Sequence, residues 1–461
     1  MAGSGSGTGT GTDHNDSLTI LMYPLFAMGH LTPYLLTANK LAQRGHKVFI
    51  VVPPKSQSKL RPLNLHPDLI QFKPISIPRV EGLPPDVETT ADITIMEHDL
   101  LLHALDLTQP AIESMLSDLQ PHFVFFDFMH WLPGLARSLK IKSVYYSPAS
   151  PAAVGFLFAE GPFVEDLMNG PPGFPTRIRL YKHAALQLMW FNAAKGRGSG
   201  ITLRQRFMAG MWESDAIGFA TCEETEGIYC QFLENKFDKP ILLAGPTVQK
   251  IQISSLEEKW ATWLGKFKPK SVVFCAFGSE AVLEKDQFEQ LLLGLELTGL
   301  PFLAALKPPS GVDSVEEALP NGFKERSGER GVVYGGWVPQ PLILNHPCVG
   351  CFVTHCGYGS SWEGLMSECQ LVLLSQQGDQ YVDAKLLSGD LGVGVEIEKG
   401  DEDGRFTREA VSGAIMGAMG DQSEVGKRVR AKHDEWRELL FGEGFQDSYL
   451  DNFVGRLSAL L

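Results

Sequence analysis

The pattern of apolar and polar positions predicts a strand, a helix and a second strand near the start of the chain. Residues 18–25 form an apolar run of strand length, which ends at the sequence FAMGH, residues 26–30. A helix pattern follows, with Pro33 in its first turn and Arg44-Gly45 at its end. Residues 48–52 then form an apolar run typical of a buried strand. A strand, helix and strand in succession predict a parallel sheet with a right-handed crossover.

The same order of elements recurs in the second half of the chain. Residues 272–277 predict a strand, Gly278-Ser279 a tight turn, 284–298 an amphipathic helix and 302–306 the next strand. We therefore expect an α/β fold with two Rossmann-like domains.

Four polar residues follow the carboxyl ends of predicted strands, two in each half of the chain: His30, Asp127, Ser279 and His355. In doubly wound sheets ligands bind beyond the carboxyl ends of the strands. If the two domains face each other, these side chains line one cleft.

The length of 461 residues exceeds what one hydrophobic core usually serves. We expect these units, from turn residues and composition: a disordered Gly/Ser/Thr-rich tail at 1–17, an N-terminal domain at 18–245, a linker at 246–256, a C-terminal domain at 257–440 and a C-terminal helix at 441–461. The Gly- and Pro-rich segments 161–175 and 195–200 predict long loops on the N-terminal domain.

Composition is that of an ordinary globular protein, with 44% apolar and 20% charged residues. The net charge of −14 argues against nucleic acid as a partner. Because the average field of the protein repels anions, an anionic ligand must be held by a local cluster of donors.

Seven cysteines in a long chain do not form the disulfide framework of a small secreted domain. The N-terminus lacks the basic and apolar regions of a secretory signal, and no apolar stretch reaches about 18 residues. We expect a cytoplasmic, monomeric protein that does not insert into a membrane.

One segment, residues 337–380, carries most of the chemical information: WVPQPLILNHPCVGCFVTHCGYGSSWEGLMSECQLVLLSQQGDQ. An apolar run at 349–353 leads into a Thr-His-Cys-Gly turn and the start of a predicted helix. Gly357 and Gly359 allow close backbone approach to a ligand, while His355, Ser360 and the helix N-terminus supply donors. This arrangement suits a phosphate group.

The segment resembles the plant secondary product glycosyltransferase box, the donor-binding signature of plant family 1 UDP-dependent glycosyltransferases. Its identifying positions are present throughout: WVPQ at 337–340, His346, GCFVTHCG at 350–357, Ser360, Glu363 and DQ at 379–380. The residue pairs Gly29-His30 and Phe126-Asp127 and the turn at 277–279 also resemble that family. The resemblance implies a GT-B fold, in which the last helix packs back on the N-terminal domain.

The resemblance also implies a set of donor-binding positions: Ser279, Trp337, Val338, Gln340, His355, Gly357, Tyr358, Gly359, Ser360, Glu363, Asp379 and Gln380. By that resemblance Trp337 stacks on uracil, Gln340 contacts the ribose or the base, and Glu363 accepts hydrogen bonds from the ribose. Asp379 and Gln380 bind hydroxyls of the transferred sugar. These roles agree with the chemistry of the side chains.

For the mechanism, the family implies inverting transfer by one displacement at the anomeric carbon of a UDP-sugar. We assign His30 as the general base, since histidine titrates near neutral pH, and Asp127 as the group that orients it. Donors around His355, Ser360 and Ser279 stabilise the leaving UDP, so no metal ion and no cofactor are expected.

Two positions depart from the common box, whose HCGWNS is HCGYGS at 355–360 here. Tyr358 and Gly359, with the FDFMHWLP stretch at 126–133, resemble the branch-forming group, which adds a sugar to the sugar of an existing glycoside. We expect a flavonoid or anthocyanin glycoside as acceptor and UDP-glucose as donor, with which Gln380 is compatible. A terpenoid or steroid glycoside, or an aglycone, is the alternative acceptor.

Other functional hypotheses rest on shorter patterns. His130 is a rival base. The spacing of Cys348, Cys351 and Cys356 beside His355 suggests zinc ligands, although buried free cysteines are the commoner explanation. The Asp401-Glu-Asp403 triplet resembles a metal-binding signature, but its polar, Gly-flanked context predicts a solvated turn.

Two further alternatives concern the whole protein. The sequence GYGSSW at 357–362 is one residue short of a dinucleotide-binding GxGxxG, which keeps an oxidoreductase in view. The other is a UDP-sugar-binding protein without catalysis, against which the presence of both His30 and Asp127 counts.

Overall fold

The computed structural model describes residues 17–159, 163–176, 178–196, 198–246, 256–420 and 422–461. The predicted tail at 1–17, except Ser17, and the predicted linker at 246–256, except its two end residues, lie outside the described residues. None of the helices in these ranges is both long enough and apolar enough to cross a membrane.

The described part of the chain forms two parallel sheets. The strands of the first are β1 (Thr19–Tyr23), β2 (Lys47–Val52), β3 (Ile70–Pro74), β4 (Phe123–Phe126), β5 (Lys142–Ser147), β6 (Ala216–Phe219) and β7 (Ile241–Leu243). Those of the second are β8 (Val272–Ala276), β9 (Phe302–Ala305), β10 (Gly331–Tyr334), β11 (Val349–Thr354), β12 (Gln370–Leu373) and β13 (Gly394–Glu396). Their spatial orders are β3-β2-β1-β4-β5-β6-β7 and β10-β9-β8-β11-β12-β13.

Helices cover both sheets. Up to β7 they are α1 (Met28–Gln43), α2 (Pro54–Leu60), α3 (His98–Asp106), α4 (Gln109–Leu119), α5 (Leu132–Ser138), α6 (Pro151–Phe158), α7 (Val164–Asn169), α8 (Lys182–Ala193), α9 (Leu203–Glu213) and α10 (Glu223–Phe237). After β7 they are α11 (Glu258–Leu264), α12 (Lys285–Leu297), α13 (Phe323–Ser327), α14 (Gln340–Leu344), α15 (Tyr358–Met366), α16 (Gln380–Lys385), α17 (Arg408–Met419), α18 (Glu424–Leu440) and α19 (Phe445–Ser458).

Each sheet changes its direction of winding between two central strands, and these switch points decide where ligands bind. In the first sheet the chain winds one way from β1 and the other way from β4, and the carboxyl ends of these strands pair at Tyr23 and Phe126. In the second sheet β8 and β11 play the same part and pair at Ala276 and Thr354. A crevice opens beyond the strand ends at such a point, so each half of the molecule offers one binding site.

The two Rossmann-like units predicted from the sequence are therefore confirmed, and the predicted strands end within two residues of the observed ones. One prediction about a helix was wrong. Helix α1 begins at Met28, so His30 lies in its first turn and Pro33 lies inside the helix. Pro33 cannot bond to the carbonyl of Gly29, but Gly29 is exposed and water can satisfy that carbonyl at little cost. The predicted loop at 161–175 also contains a short helix, α7.

An apolar cluster joins the two halves of the molecule. Ala153 and Phe156 of α6 and Tyr229 of α10 belong to one buried cluster with Trp362 of α15 and Tyr381 of α16. Burial of apolar surface is the main stabilising force between packed layers, so this cluster holds the two sheets in a facing arrangement.

The last helix, α19, returns to the first sheet. The ring of Phe453 packs edge-on against Phe125 at 6.2 Å, and Phe453 is fully buried. At the surface, Arg44 of α1 forms ion pairs with Asp451 at 2.7 Å and Asp447 at 2.8 Å. The end of the chain is thereby attached to the half of the molecule where it began.

Candidate active site

The imidazole of His30 is held by the carboxylate of Asp127 at the switch point of the first sheet. Nδ1 of His30 lies 2.7 Å from Oδ2 of Asp127. The other carboxylate oxygen, Oδ1, accepts hydrogen bonds from the backbone N–H groups of Leu25 and Phe128, each at 2.7 Å. Asp127 is 1% exposed and fixed by three hydrogen bonds. It therefore imposes one orientation and one tautomer on the ring, with the proton on Nδ1 and a lone pair on Nε2.

The electrostatic environment raises the pKa of His30 above its ordinary value of 6.5. Burial by itself lowers this pKa, but the charge and hydrogen bond of Asp127 act in the opposite direction and outweigh it, helped by Glu280 and Asp379. The side chain remains 22% exposed, so a substrate can reach it. The pair has the arrangement of a base and its orienting carboxylate.

His130, the rival base, lies in a different network. The guanidinium of Arg206, which is 3% exposed, donates to Nδ1 of His130 at 3.0 Å and is itself paired with both carboxylate oxygens of Asp106, at 2.7 and 2.6 Å. Since Arg206 can only donate, Nδ1 of His130 is the acceptor and its proton sits on Nε2. Burial and the Arg206 charge lower the pKa of His130. This ring can donate a hydrogen bond to a substrate, but it has no lone pair left for proton abstraction.

The switch point of the second sheet is a tight turn around His355. A Cβ atom at Gly357 would lie 2.6 Å from Nε2 of His355, and one at Gly278 would lie 3.1 Å from it. Gly278 also has a φ of +67°, and Cys356 adopts a φ of +66° that a side chain rarely permits. The turn thus requires glycine at two positions and holds a third in an unfavourable conformation, a cost of the kind found at ligand sites.

The donors of this turn suit an anion. Burial lowers the pKa of His355 to about 4, so its ring is neutral at pH 7, and among the described residues Nδ1 has no hydrogen-bond partner. Helix α15 begins directly after Gly357, and the N–H groups of its first turn have no partners within the helix. Ser279 is exposed at the end of β8 beside Gly278. Neutral donors at a helix N-terminus are suited to a diphosphate.

Three of the expected donor-binding residues form one hydrogen-bonded cluster. The amide nitrogen of Gln340 donates to Oγ of Ser360 at 3.0 Å and to Oε2 of Glu363 at 2.7 Å. Burial raises the pKa of Glu363 to about 7, while the amide of Gln340 acts in the opposite direction. Further hydrogen-bond donors, such as the two hydroxyls of a ribose, would stabilise the negative charge of this buried carboxylate.

The indole of Trp337 lies just before this cluster and is 78% exposed, whereas the next residue, Val338, is buried. Large aromatic side chains usually lose most of their surface in a folded chain. An exposed indole held by a buried neighbour offers a flat apolar face to a planar ligand.

Asp379 ends the loop before α16, and Gln380 is the first residue of that helix. The side-chain oxygen of Gln380 accepts from the N–H groups of Gln376 and Gln377, at 3.0 and 3.1 Å, and so shapes the loop that precedes the helix. Burial raises the pKa of Asp379, and the charge of His30 acts in the opposite direction. The charges of Asp379 and His30 act on each other although the two residues belong to different halves of the molecule.

The two altered box positions have different environments. The hydroxyl of Tyr358 donates to Oε2 of Glu226 in the first half of the chain at 2.6 Å, so only its backbone faces the phosphate turn. A Cβ atom at Gly359 would meet nothing within 4 Å, which leaves open space beside that turn. Nothing in the sequence pattern indicates this contact of Glu226, because its partner lies 132 positions away.

Comparison with known proteins decides the family. The family model for UDP-glucoronosyl and UDP-glucosyl transferase matches residues 318–416. Cyanidin 3-O-galactoside 2''-O-xylosyltransferase of Actinidia chinensis var. chinensis is 50% identical over 450 residues, which cover 96% of this chain and 98% of that protein. Anthocyanidin 3-O-glucoside 2''-O-glucosyltransferase of Ipomoea purpurea is 47% identical over 448 residues, or 95% and 97% of the two chains. The chain belongs to the plant UDP-glycosyltransferases.

A solved structure of another UDP-glycosyltransferase confirms the GT-B architecture. Glycyrrhiza uralensis UGT73P12, complexed with glycyrrhetinic acid 3-O-monoglucuronide, superposes with a TM-score of 0.81 at 22% identity, over 96% of both chains. Because this chain belongs to the UDP-glycosyltransferases, the oxidoreductase hypothesis for the GYGSSW segment is rejected.

The described residues of this UDP-glycosyltransferase do not provide the group of ligands that either metal hypothesis requires. In the ranges that the structure covers, no three His, Cys, Asp or Glu side chains are grouped to hold a metal ion. Burial raises the pKa of the Cys351 and Cys356 thiols well above 9.0, which disfavours the thiolate that zinc requires. In the exposed turn at 401–403, Asp401 accepts hydrogen bonds from the backbone of Lys182 and His183. That contact is structural, between the turn and α8.

Proposed function

We propose that this UDP-glycosyltransferase transfers a sugar from a UDP-sugar to a hydroxyl on the sugar of an existing flavonoid or anthocyanin glycoside. The observation that carries the proposal is the identity of 50% over almost the whole chain to an enzyme named for such a transfer. Tyr358 and Gly359, which distinguish the box of this chain from the common one, support the same acceptor class.

In the proposed reaction the acceptor hydroxyl attacks the anomeric carbon and the bond to the UDP oxygen breaks. Nε2 of His30 takes the hydroxyl proton, and Asp127 stabilises the imidazolium that forms. Electrons of the breaking bond pass to the diphosphate. The negative charge on the diphosphate is stabilised, without rearrangement of the site, by hydrogen-bond donors from His355, Ser360, Ser279 and the first N–H groups of α15. One displacement inverts the anomeric configuration.

Donor binding follows the geometry of the second half. We assign the exposed face of Trp337 to uracil, Gln340 and Glu363 to the ribose, and Asp379 and Gln380 to the transferred sugar. UDP-glucose is our proposed donor. The two relatives described above are named for xylosyl and glucosyl transfer, so related enzymes of this length differ in the sugar that they use.

We further propose a cytoplasmic enzyme that acts as a monomer. All seven cysteines are free and buried, as a reducing compartment leaves them. One chain provides both halves of the cleft, so a second copy is not needed to complete the site.

The acceptor class is tested by steady-state kinetics with UDP-glucose and UDP-xylose against matched pairs of an aglycone and its monoglycoside. We expect kcat/KM at least about tenfold higher for a flavonoid monoglycoside than for its aglycone. Equal or better activity on the aglycone would contradict the acceptor class. Higher activity on terpenoid or steroid glycosides would favour the alternative acceptors, and UDP binding without turnover would indicate a binding protein.

Replacing Trp337 by alanine should raise KM for the UDP-sugar by about tenfold, since stacking of a base on an aromatic ring is worth about 1–3 kcal/mol. The melting temperature should stay unchanged because the side chain is 78% exposed. Trp212→Ala is the matched control, since Trp212 is 51% exposed on α9 in the other half of the molecule. An unchanged KM in the Trp337 variant would exclude stacking on the base.

The pH dependence of kcat/KM should show an acid limb centred above 6.5. Only the neutral imidazole of His30 can accept a proton, and its pKa is raised, so activity rises as pH increases through that raised pKa. In His130→Gln the limb should not move. A limb centred well below 6.5 would point to a carboxylate as the base.

A further inference from the structure

Glu280 is a carboxylate in the cleft that none of the roles above uses. It directly follows Ser279 beyond the end of β8, so it belongs to the half of the molecule that carries the phosphate turn. Oε1 of Glu280 accepts a hydrogen bond of 2.5 Å from the hydroxyl of Thr90, which lies in the other half. The backbone N–H of Thr90 donates to the carbonyl of Phe26, on the loop that leads to His30. Glu280 thus reaches across the cleft to the segment that supports the base.

The charged groups around Glu280 define its position further. Its negative charge contributes to the raised pKa of His30 and to the raised pKa of Asp379, and it opposes the lowering of the pKa of His98 by burial. Glu280 is therefore close enough to His30 and to Asp379 for its charge to act on both. In the proposed reaction the acceptor hydroxyl lies next to His30, so Glu280 is near the reacting groups.

One oxygen of Glu280 remains available for a substrate. The side chain is partly buried, and in the structure as described Oε2 has no hydrogen-bond partner. A carboxylate can only accept hydrogen bonds, so it selects ligands that carry donors. A sugar presents a second hydroxyl on the carbon next to its reacting hydroxyl, about 3 Å away, whereas the phenolic hydroxyls of a flavonoid ring are mostly farther apart and lie in the plane of the ring.

We propose that Oε2 of Glu280 accepts a hydrogen bond from the hydroxyl next to the reacting hydroxyl on the acceptor's sugar, and that this contact makes Glu280 a specificity residue for glycosides. Thr90 holds the other oxygen and fixes the carboxylate in the cleft. This inference rests on the proposed function, in which the acceptor already carries a sugar.

The test is a cycle between the side chain and the substrate hydroxyl, at a pH above the acid limb. Wild type and Glu280→Ala are assayed with a monoglycoside and with its analogue deoxygenated at the carbon next to the reacting one. We expect Glu280→Ala to raise KM for the monoglycoside about tenfold to hundredfold, with KM for the UDP-sugar nearly unchanged. For the wild type, KM should rise by the same factor when the monoglycoside is replaced by the deoxy acceptor. For Glu280→Ala, this replacement should not raise KM further.

Three further variants sharpen the result. Glu284→Ala removes an exposed charge from the same loop and should behave as wild type. Glu280→Gln keeps the shape of the side chain but has one acceptor oxygen instead of two, so it can accept from Thr90 or from the sugar hydroxyl but not from both through separate oxygens. Its KM should fall between those of Glu280→Ala and the wild type. Thr90→Val removes the bond that fixes the carboxylate and should raise the same KM by a smaller factor, which supports the assignment even if one variant folds poorly.

Two outcomes would overturn the inference while the proposed function stands. If Glu280→Ala and the deoxy acceptor each raise KM and their effects multiply when combined, Glu280 does not contact that hydroxyl. A fall in kcat with unchanged KM, together with an acid limb moved to lower pH, would show that Glu280 acts through His30 instead. A wild type that turns over aglycones but no monoglycoside would overturn the proposed function and this inference together.

Discussion

Replacing His30 by alanine should lower kcat by a factor of about 10² to 10⁴, with the affinity for UDP unchanged. His30 lies in the first turn of α1, in the half of the molecule to which none of the proposed donor-binding residues belongs, and Asp127 keeps the lone pair on its Nε2 free. The expected loss is therefore confined to proton removal. Single-turnover kinetics and calorimetric titration with UDP measure the two quantities separately.

The matched control for this variant is His130→Ala. His130 lies near the same strand end, but its Nδ1 accepts from Arg206, so its removal should affect acceptor KM more than kcat. Turnover of His30→Ala near the wild-type value would refute the assignment of the base. A parallel loss of UDP affinity would mean that the substitution disturbs the fold rather than the chemistry.

Replacing Asp127 by asparagine should reduce kcat by a factor of about 10² to 10⁴, although the side chain keeps its shape. Oδ1 of Asp127 accepts from two backbone N–H groups, so the asparagine oxygen must face Leu25 and Phe128. Its amide nitrogen then faces Nδ1 of His30, which becomes the acceptor. The ring is forced into the tautomer that carries its proton on Nε2, and the lone pair needed for catalysis is lost.

Asp118→Asn is the matched control, since Asp118 is exposed on α4 and the same charge is removed. The melting temperature of Asp127→Asn should stay close to that of the wild type, because both backbone donors keep their acceptor. Activity near that of the wild type would show that the tautomer of His30 is not set by Asp127.

The sequence allowed the architecture to be predicted, and with it the position of four candidate site residues beyond strand ends, because both depend on local patterns. Apolar runs of strand length, each followed by a helix pattern, repeat in both halves, and all-parallel sheets follow from that order. His30, Asp127, Ser279 and His355 follow strand ends at the two switch points, where ligands bind in this architecture.

The family resemblance predicts the pair of His30 and Asp127, but other contacts between distant parts of the chain were beyond prediction. The bonds of Tyr358 to Glu226, of Thr90 to Glu280 and of Arg206 to Asp106 join residues at least 100 positions apart. A single sequence holds no pairing information over such distances, and each residue alone is typical of a surface or turn position. Glu280 had one local signal, its place directly after the Gly278-Ser279 turn.

The prediction for the start of α1 is wrong for a different reason. Proline is common in the first turn of a helix, so the sequence pattern places Pro33 in that turn. The helix begins at Met28 instead, since its first turn tolerates the loss of one bond at the exposed Gly29. The consequence for function is direct, because His30 is carried by a helix rather than by a loop.

The central claim is most directly tested by the structure of the product. The purified enzyme is incubated with UDP-glucose and a flavonoid or anthocyanin monoglycoside, and the linkage and anomeric configuration of the new bond are determined by nuclear magnetic resonance. We predict a new bond to a hydroxyl of the acceptor's sugar, with the anomeric configuration opposite to that of the donor. Attachment to the flavonoid ring, or retention of the donor configuration, would contradict the account.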